Sequence, residues 1–190
     1  MTTMVTILTE GFADWETALL NAAAHSYLAV ETRFATPGGL PVRSAGGMQV
    51  TPDLAIEAIE PDQLDALIVC GGTAWASATP PDITPQLVAA HQAGKTVAGI
   101  CDGTVALARA GLLDTVRHTS NTPENLPPTG YAGAAHYLDQ PDAVRDGQII
   151  TAPGTAPVSF MGQVLESLGL RTPDVNYYIG LYAAEHRTAS

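Results

Sequence analysis

Short apolar runs alternate with helical patterns along the chain, and most runs end in glycine, proline or a small polar residue. Met4 to Leu8 reads as a β-strand. After the loop Thr9 to Asp14, a helical pattern runs from Trp15 to about Ala29. Asp14 is placed to cap that helix, and Leu19, Ala22, Ala23 and Tyr27 recur at the spacing that would lay one face on a sheet. Glu16 falls in the first turn, where the helix macrodipole favours a carboxylate.

Val30 to Thr36 is a second strand, stopped by Pro37-Gly38-Gly39, and Pro41 to Val50 reads as a small hairpin. Asp65 to Val69 is a third strand that runs into Cys70-Gly71-Gly72-Thr73. Ile83 to Ala93 is an amphipathic helix closed by Gly94. Arg117 to Asn121 reads as a further short strand, followed by a loop rich in proline, glycine and small residues up to Ala134. Gln148 to Ala152 is a strand after the Asp146-Gly147 turn. Pro153-Gly154-Thr155 then leads into a helix from about Ala156 to Leu168, and a last helix is expected from Asp174 to His186. Strands alternating with helices predict an α/β fold, a three-layer α/β/α sandwich around a mostly parallel sheet. In such a sheet the site belongs at the carboxyl ends of the strands. That crevice gathers Glu16, Gly72, Cys101 and Thr155 from distant parts of the sequence.

The chemistry concentrates in Thr96 to Thr104, where the strand Thr96–Ile100 meets Cys101 and turns into a helix through Val105 to Ala110. Gly99 and Gly103 bracket the cysteine in a G-x-C-x-G pattern, the thiol counterpart of the nucleophile elbow. The bend places Cys101 in a strained backbone conformation, and the small neighbours permit close packing of strand and helix. The helix end is expected to lower the thiol pKa from its free value of about 8.5.

Length and charge narrow the rest. The 190 residues suit a single domain, 1–190, that needs neither disulfide nor metal to bury a core. With a formal charge of -11 the chain would repel a polyanion, so nucleic acid is not an expected partner. No basic, apolar leader and no apolar run of about 18 residues is present, and the expectation is a cytoplasmic protein without a membrane partner. Cys70 and Cys101 lack C-x-x-C spacing and read as free thiols. Gly94-Lys95-Thr96 ends a helix rather than starting one, and Ala89 stands where a phosphate-binding loop needs glycine. No cofactor is expected, and no histidine spacing suggests a metal.

Taken together, Gly11 to Glu16, Cys70-Gly71-Gly72, Ala98 to Gly103 with Ala110-Gly111-Leu112-Leu113, and Ala152 to Thr155 resemble the DJ-1/PfpI family of the class I glutamine amidotransferase-like superfamily. The resemblance spans nearly the whole chain and implies a flavodoxin-like sheet and a homodimer. It also implies that Cys101 is the nucleophile and Glu16 the acid beside its sulfur, with the Gly72 and Asp102 backbone N–H groups holding an oxyanion. Thr73, Asn121, His136 and Thr155 are further pocket candidates.

Two departures bear on activity. PfpI-like peptidases have a histidine directly after the cysteine, where this chain has Asp102, and many relatives end a Thr-Thr-His segment where it has Thr119-Ser120-Asn121. Without an imidazole at either position, peptide-bond hydrolysis is not expected. His136 is the candidate for a distant base; His25, His91, His118 and His186 read as structural, and Trp15 and Trp75 flank the crevice loops. Two functions follow. One is a cysteine-dependent enzyme acting on a small molecule, either amidase/hydrolase-like or glyoxalase/deglycase-like. The other is a sensor or protective protein of oxidative stress in which an oxidant converts Cys101 to sulfenic or sulfinic acid.

Overall fold

In the computed structural model, which describes residues 1–186, seven strands form one sheet. Its strands are β1 (Thr3–Ile7), β2 (Glu31–Thr36), β5 (Leu54–Ala55), β6 (Ala66–Val69), β7 (Thr96–Ile100), β8 (Val144–Asp146) and β9 (Ile149–Ala152), in the order β5-β2-β1-β6-β7-β9-β8. All neighbours pair in parallel except β8 with β9. A separate antiparallel pair, β3 (Val42–Arg43) with β4 (Gln49–Val50), is the expected hairpin. The helices are α1 (Asp14–Leu28), α2 (Thr84–Gln92), α3 (Gly103–Arg109), α4 (Pro157–Ser167) and α5 (Pro173–Ala183).

Strand alternation divides the core into two layers. Val5, Ile7, Leu67, Val69 and Val97 join Leu87 of α2 and Leu107 of α3 on one face. Met4, Ala66, Ile68, Ala98, Ile100 and Ile150 join Leu20 of α1 and Phe160 and Val164 of α4 on the other. Because both faces are covered, the central strands β1, β6 and β7 are buried at every position and mostly apolar rather than alternating. This is the predicted mostly parallel three-layer sandwich. Among the described residues no helix is long and apolar enough to cross a membrane.

The sheet register aligns the strand ends that carry the site. Ile7 pairs with Val69, Val69 with Gly99, and Ile100 with Ala152. The next residues on β6, β7 and β9 therefore emerge together at one edge. Gly103 allows α3 to close on this edge, since a β-carbon there would overlap the Val69 carbonyl oxygen.

Several local expectations are corrected. Asp14 is the first residue of α1 and not its cap; Ala13 takes that position, and the Asp14 carboxylate accepts the Gly46 N–H at 2.7 Å. The face of α1 laid on the sheet is Glu16, Thr17, Leu20, Asn21, Ala23 and Ala24, whereas Ala22 is exposed and Tyr27 is 71% exposed. Apolar spacing alone misplaces this face, because two of its polar members have buried partners. Thr6 Oγ1 donates to Asn21 Oδ1 at 3.0 Å, and Gly71 N–H donates to Glu16. Arg117 to Asn121 joins no strand of the sheet, because β9 is already flanked by β7 and β8. That segment lies beside β9, held by Thr119 N–H on Thr151 Oγ1 at 2.8 Å. The last helix ends at Ala183, followed by a 3-10 turn at Ala184–His186; residues 187–190 of the expected domain lie outside the described residues.

Candidate active site

Cys101 follows β7 with φ of +56°, one of two non-glycine residues with positive φ among the described residues. Such a conformation costs about 1–3 kcal/mol for a side chain other than glycine, and the surrounding bonds enforce it. Cys101 N–H donates to Ala152 O at 2.9 Å, while its carbonyl accepts from Thr104 N–H at 3.1 Å and Thr104 Oγ1 at 2.6 Å. The elbow is therefore present, with its thiol partly exposed.

Glu16 reaches the sulfur from the first turn of α1. It is fully buried, and its Oε2 accepts the Gly71 N–H at 2.8 Å. Oε1 has no hydrogen-bond partner. Both Oε1 and Cys101 Sγ lie 3.0 Å from the point where a β-carbon on Gly154 would sit, so that glycine closes the site around them. Gly71 does the same from the β6 side, where a side chain would overlap Glu16 Oε2 and crowd Cys101 Cβ. The motifs contain both glycines without revealing these packing roles. The Gly-Gly and Pro-Gly punctuation at strand ends is the signal in the sequence that could have pointed to them.

Asn121 makes the third direct contact. Its Nδ2 donates to Cys101 Sγ at 3.1 Å and to Asp102 Oδ1 at 3.2 Å, while Gly154 N–H donates to its Oδ1 at 2.9 Å. The last bond fixes which end of the amide faces the thiol. Ser120 anchors the same segment through its hydroxyl, 2.7 Å from Thr104 Oγ1. Neither Gly72 N–H nor Asp102 N–H has an acceptor among the described residues, which leaves both available as donors.

Burial dominates the electrostatics. It raises the Glu16 carboxyl to about 7, against the thiol and the Gly71 N–H. It pushes the Cys101 thiol up to about 12, opposed by the Asn121 amide and reinforced by the negative charge of Glu16. The expected lowering by the helix end is thus outweighed: α3 is only seven residues long, and removing a thiolate from water costs more than its dipole returns. The two groups act as a pair that loses its first proton at about pH 7 and its second at about 12, so that between these values it carries one negative charge and one proton. Asn121 favours the charge on sulfur, whereas Gly71 favours it on the carboxylate.

The remaining candidates lie further out. Thr155 is exposed on the rim beside Gly154, and Thr73 is exposed near Gly11. His136 is not brought to the sulfur; it is exposed, and its ring neighbours His118 and Asp146 instead. His118 is buried between Tyr131 and Tyr137, with Nδ1 on Val116 O at 2.8 Å. Cys70 is fully buried, and desolvation pushes its thiol up to about 12. Trp75 is also buried, whereas Trp15 is exposed and donates from Nε1 to Gly154 O at 3.3 Å. Among the described residues no group of three or more His, Cys, Asp or Glu could hold a metal ion.

Comparison with known proteins agrees with this architecture. The structure of a DJ-1 superfamily protein, Atu0886 from Agrobacterium tumefaciens, is 46% identical with a TM-score of 0.96, over 98% of this chain and 100% of that one. A thiJ/pfpI family protein from Bacillus anthracis is 29% identical with a TM-score of 0.84, over 96% of this chain and 91% of that one. Among curated proteins, the uncharacterized protease YoaZ of Bacillus subtilis is 33% identical over 135 residues, covering 70% of this chain and 64% of YoaZ. The chain thus spans just under two thirds of that relative's length. The DJ-1/PfpI family matches residues 2–167, and the chain belongs to it.

Proposed function

We propose that the protein is a cysteine-dependent enzyme acting on small carbonyl or amide compounds. The observation that carries this reading is one constellation: a thiol held at positive φ, touched by an amide donor and packed against a buried carboxyl group that retains a proton near neutrality. In the reacting form the sulfur is a thiolate and Glu16 holds the proton. Sγ attacks the carbonyl carbon, a C–S bond forms, and the C=O π pair moves to oxygen, which the Gly72 and Asp102 N–H groups receive. With an aldehyde, the Glu16 proton passes to that oxygen and gives a hemithioacetal. With an amide, the proton goes to the departing amine as the C–N bond breaks, and water then hydrolyses the thioester.

Proteolysis has less support, although YoaZ and a second Bacillus subtilis relative, YdeA, are both named as uncharacterized proteases. Asp102 and Asn121 occupy the positions where an imidazole is expected, and an amide cannot take a proton from the thiol. Wild-type protein is expected to turn over members of a panel of dicarbonyls and small amides. Asn121→Leu should lower kcat/KM about tenfold, the cost of one hydrogen bond to a charged sulfur. A wild type inactive across the panel would overturn this reading.

The same donor set favours a second reading, in which Cys101 is an oxidant sensor. Asn121 and the protonated Glu16 can hydrogen-bond the oxygens of a sulfenic or sulfinic acid formed by peroxide. Limiting peroxide is then expected to add one or two oxygens to Cys101 while Cys70 remains unmodified, as read by mass spectrometry. Equal oxidation of the two thiols would remove the case.

A further inference from the structure

Beside the nucleophile, the segments following β7 and β9 leave a cavity of about 340 Å³ whose lining includes Ser120, Asn121, Asp139, Gln140 and Thr155. Asn121 links it to the chemistry, since the same side chain touches Cys101 Sγ at 3.1 Å. A second link runs through Gly154, which lies between the lining residues Pro153 and Thr155. The buried, unpartnered Glu16 Oε1 packs against that glycine. A molecule bound to sulfur would therefore extend its far end along this wall.

The lining is chemically one-sided. Asp139 is its only formally charged residue; no Lys or Arg lines the cavity, and Asp139 takes part in no ion pair among the described residues. Ser120, Asn121, Gln140 and Thr155 are neutral hydroxyls and amides that can donate or accept, with Ser120 and Asn121 already bonded to Thr104 and Gly154, so Asp139 sets the charge of the lining. Asp102 lies next to the sulfur with only the Asn121 amide as partner. A carboxylate or phosphate on the substrate would face these acids in a chain of net charge -11, whereas an ammonium group would find a carboxylate and neutral acceptors together.

We infer that this cavity is the subsite for the non-reacting end of the substrate and that Asp139 selects a cationic substituent there. The substrate class becomes a small carbonyl or amide compound bearing an amine, in preference to acidic analogues. The inference rests on the reading of Cys101 as a nucleophile, but it can be tested without turnover.

The probes are 2-bromoethylamine, iodoacetamide and iodoacetate, which are cationic, neutral and anionic alkylating agents of similar size. Rates of Cys101 modification at low ionic strength are measured by intact mass and divided by the rates for a small free thiol. In the wild type the normalised cation-to-anion ratio is expected to be at least about tenfold. Asp139→Asn should reduce it about fivefold and Asp139→Lys should bring it to about one or below. Asp62→Asn, which removes an equal charge outside the cavity, should leave it unchanged. A ratio insensitive to Asp139, or an equal fall in Asp62→Asn, overturns the subsite while leaving the nucleophile in place. If none of the three reagents modifies Cys101, the nucleophile reading fails and the subsite falls with it.

Discussion

In Cys101→Ala, turnover of any responsive dicarbonyl or amide is expected to fall by about three orders of magnitude or more, as when a covalent nucleophile is removed elsewhere. Cys101→Ser should be nearly as impaired. A hydroxyl could occupy the same elbow, but it would remain protonated in a site whose burial already pushes the more acidic thiol up to about 12. Cys70→Ala provides the contrast. Cys70 is fully buried, its thiol donates to Ala13 O at 3.4 Å, and Thr17 donates to its sulfur at 3.5 Å. Its removal should leave the catalytic rate within about twofold while lowering stability by about 1 kcal/mol, the typical cost of a core substitution. Steady-state kinetics on the three variants, with circular dichroism to establish folding, decides the matter. A folded Cys101→Ala protein with wild-type turnover would sink the covalent mechanism.

Glu16→Gln should change both stability and reactivity, and pH sets the sign. The wild-type carboxyl titrates at about 7 when folded, against an ordinary value of 4.5. Between these values the folded state binds more protons than the unfolded state. Stability therefore declines as pH rises through the window, by about 3 kcal/mol in all. Glutamine does not titrate, yet its amide oxygen can still accept the Gly71 N–H. The variant is thus expected to gain about 3 kcal/mol relative to wild type between pH 4.5 and pH 7. Urea unfolding at intervals of half a pH unit measures this.

His118 pulls the wild-type profile the other way. Burial lowers its pKa from 6.5, so its contribution grows as pH rises toward that value, and only the difference between variant and wild type isolates Glu16. The lowered carboxyls of Asp14, Asp82 and Asp146 act near and below 3.8, outside the window. Alkylation of Cys101 supplies the second readout. Its onset near pH 7, where the pair first ionises, should disappear in Glu16→Gln and be replaced by a single later step. Superimposable alkylation profiles would mean that carboxyl and thiol do not share a proton.

The elbow is legible in the sequence because its requirements are local. A cysteine between two glycines, at the junction of an apolar run and a helical pattern, suits a sharp strand-to-helix bend and little else, and Gly103 is needed because its neighbour is backbone. The sheet is legible because buried parallel strands are nearly continuous apolar runs. Arg117 to Asn121 reads as a short strand from its place in the chain, but a local reading does not reveal that both neighbours of β9 are already taken. The inward face of α1 escapes a reading of apolar spacing because Glu16 and Asn21 are polar, and only their partners on the β6 side and on β1 account for their burial.

Residue types and their order along the chain were enough to place a thiol at the strand-to-helix bend and to bring Glu16 to the same crevice, while His136 stayed a candidate base. That His136 is exposed beside His118 and Asp146, that Gly71 and Gly154 pack around sulfur and carboxyl, and that Asn121 grips the thiol emerged only when the strands were set in register. So did the direction of the thiol's pKa. A helix end is visible in a sequence, but the water removed from around a group depends on what other segments fold over it, and here that desolvation outweighs the dipole.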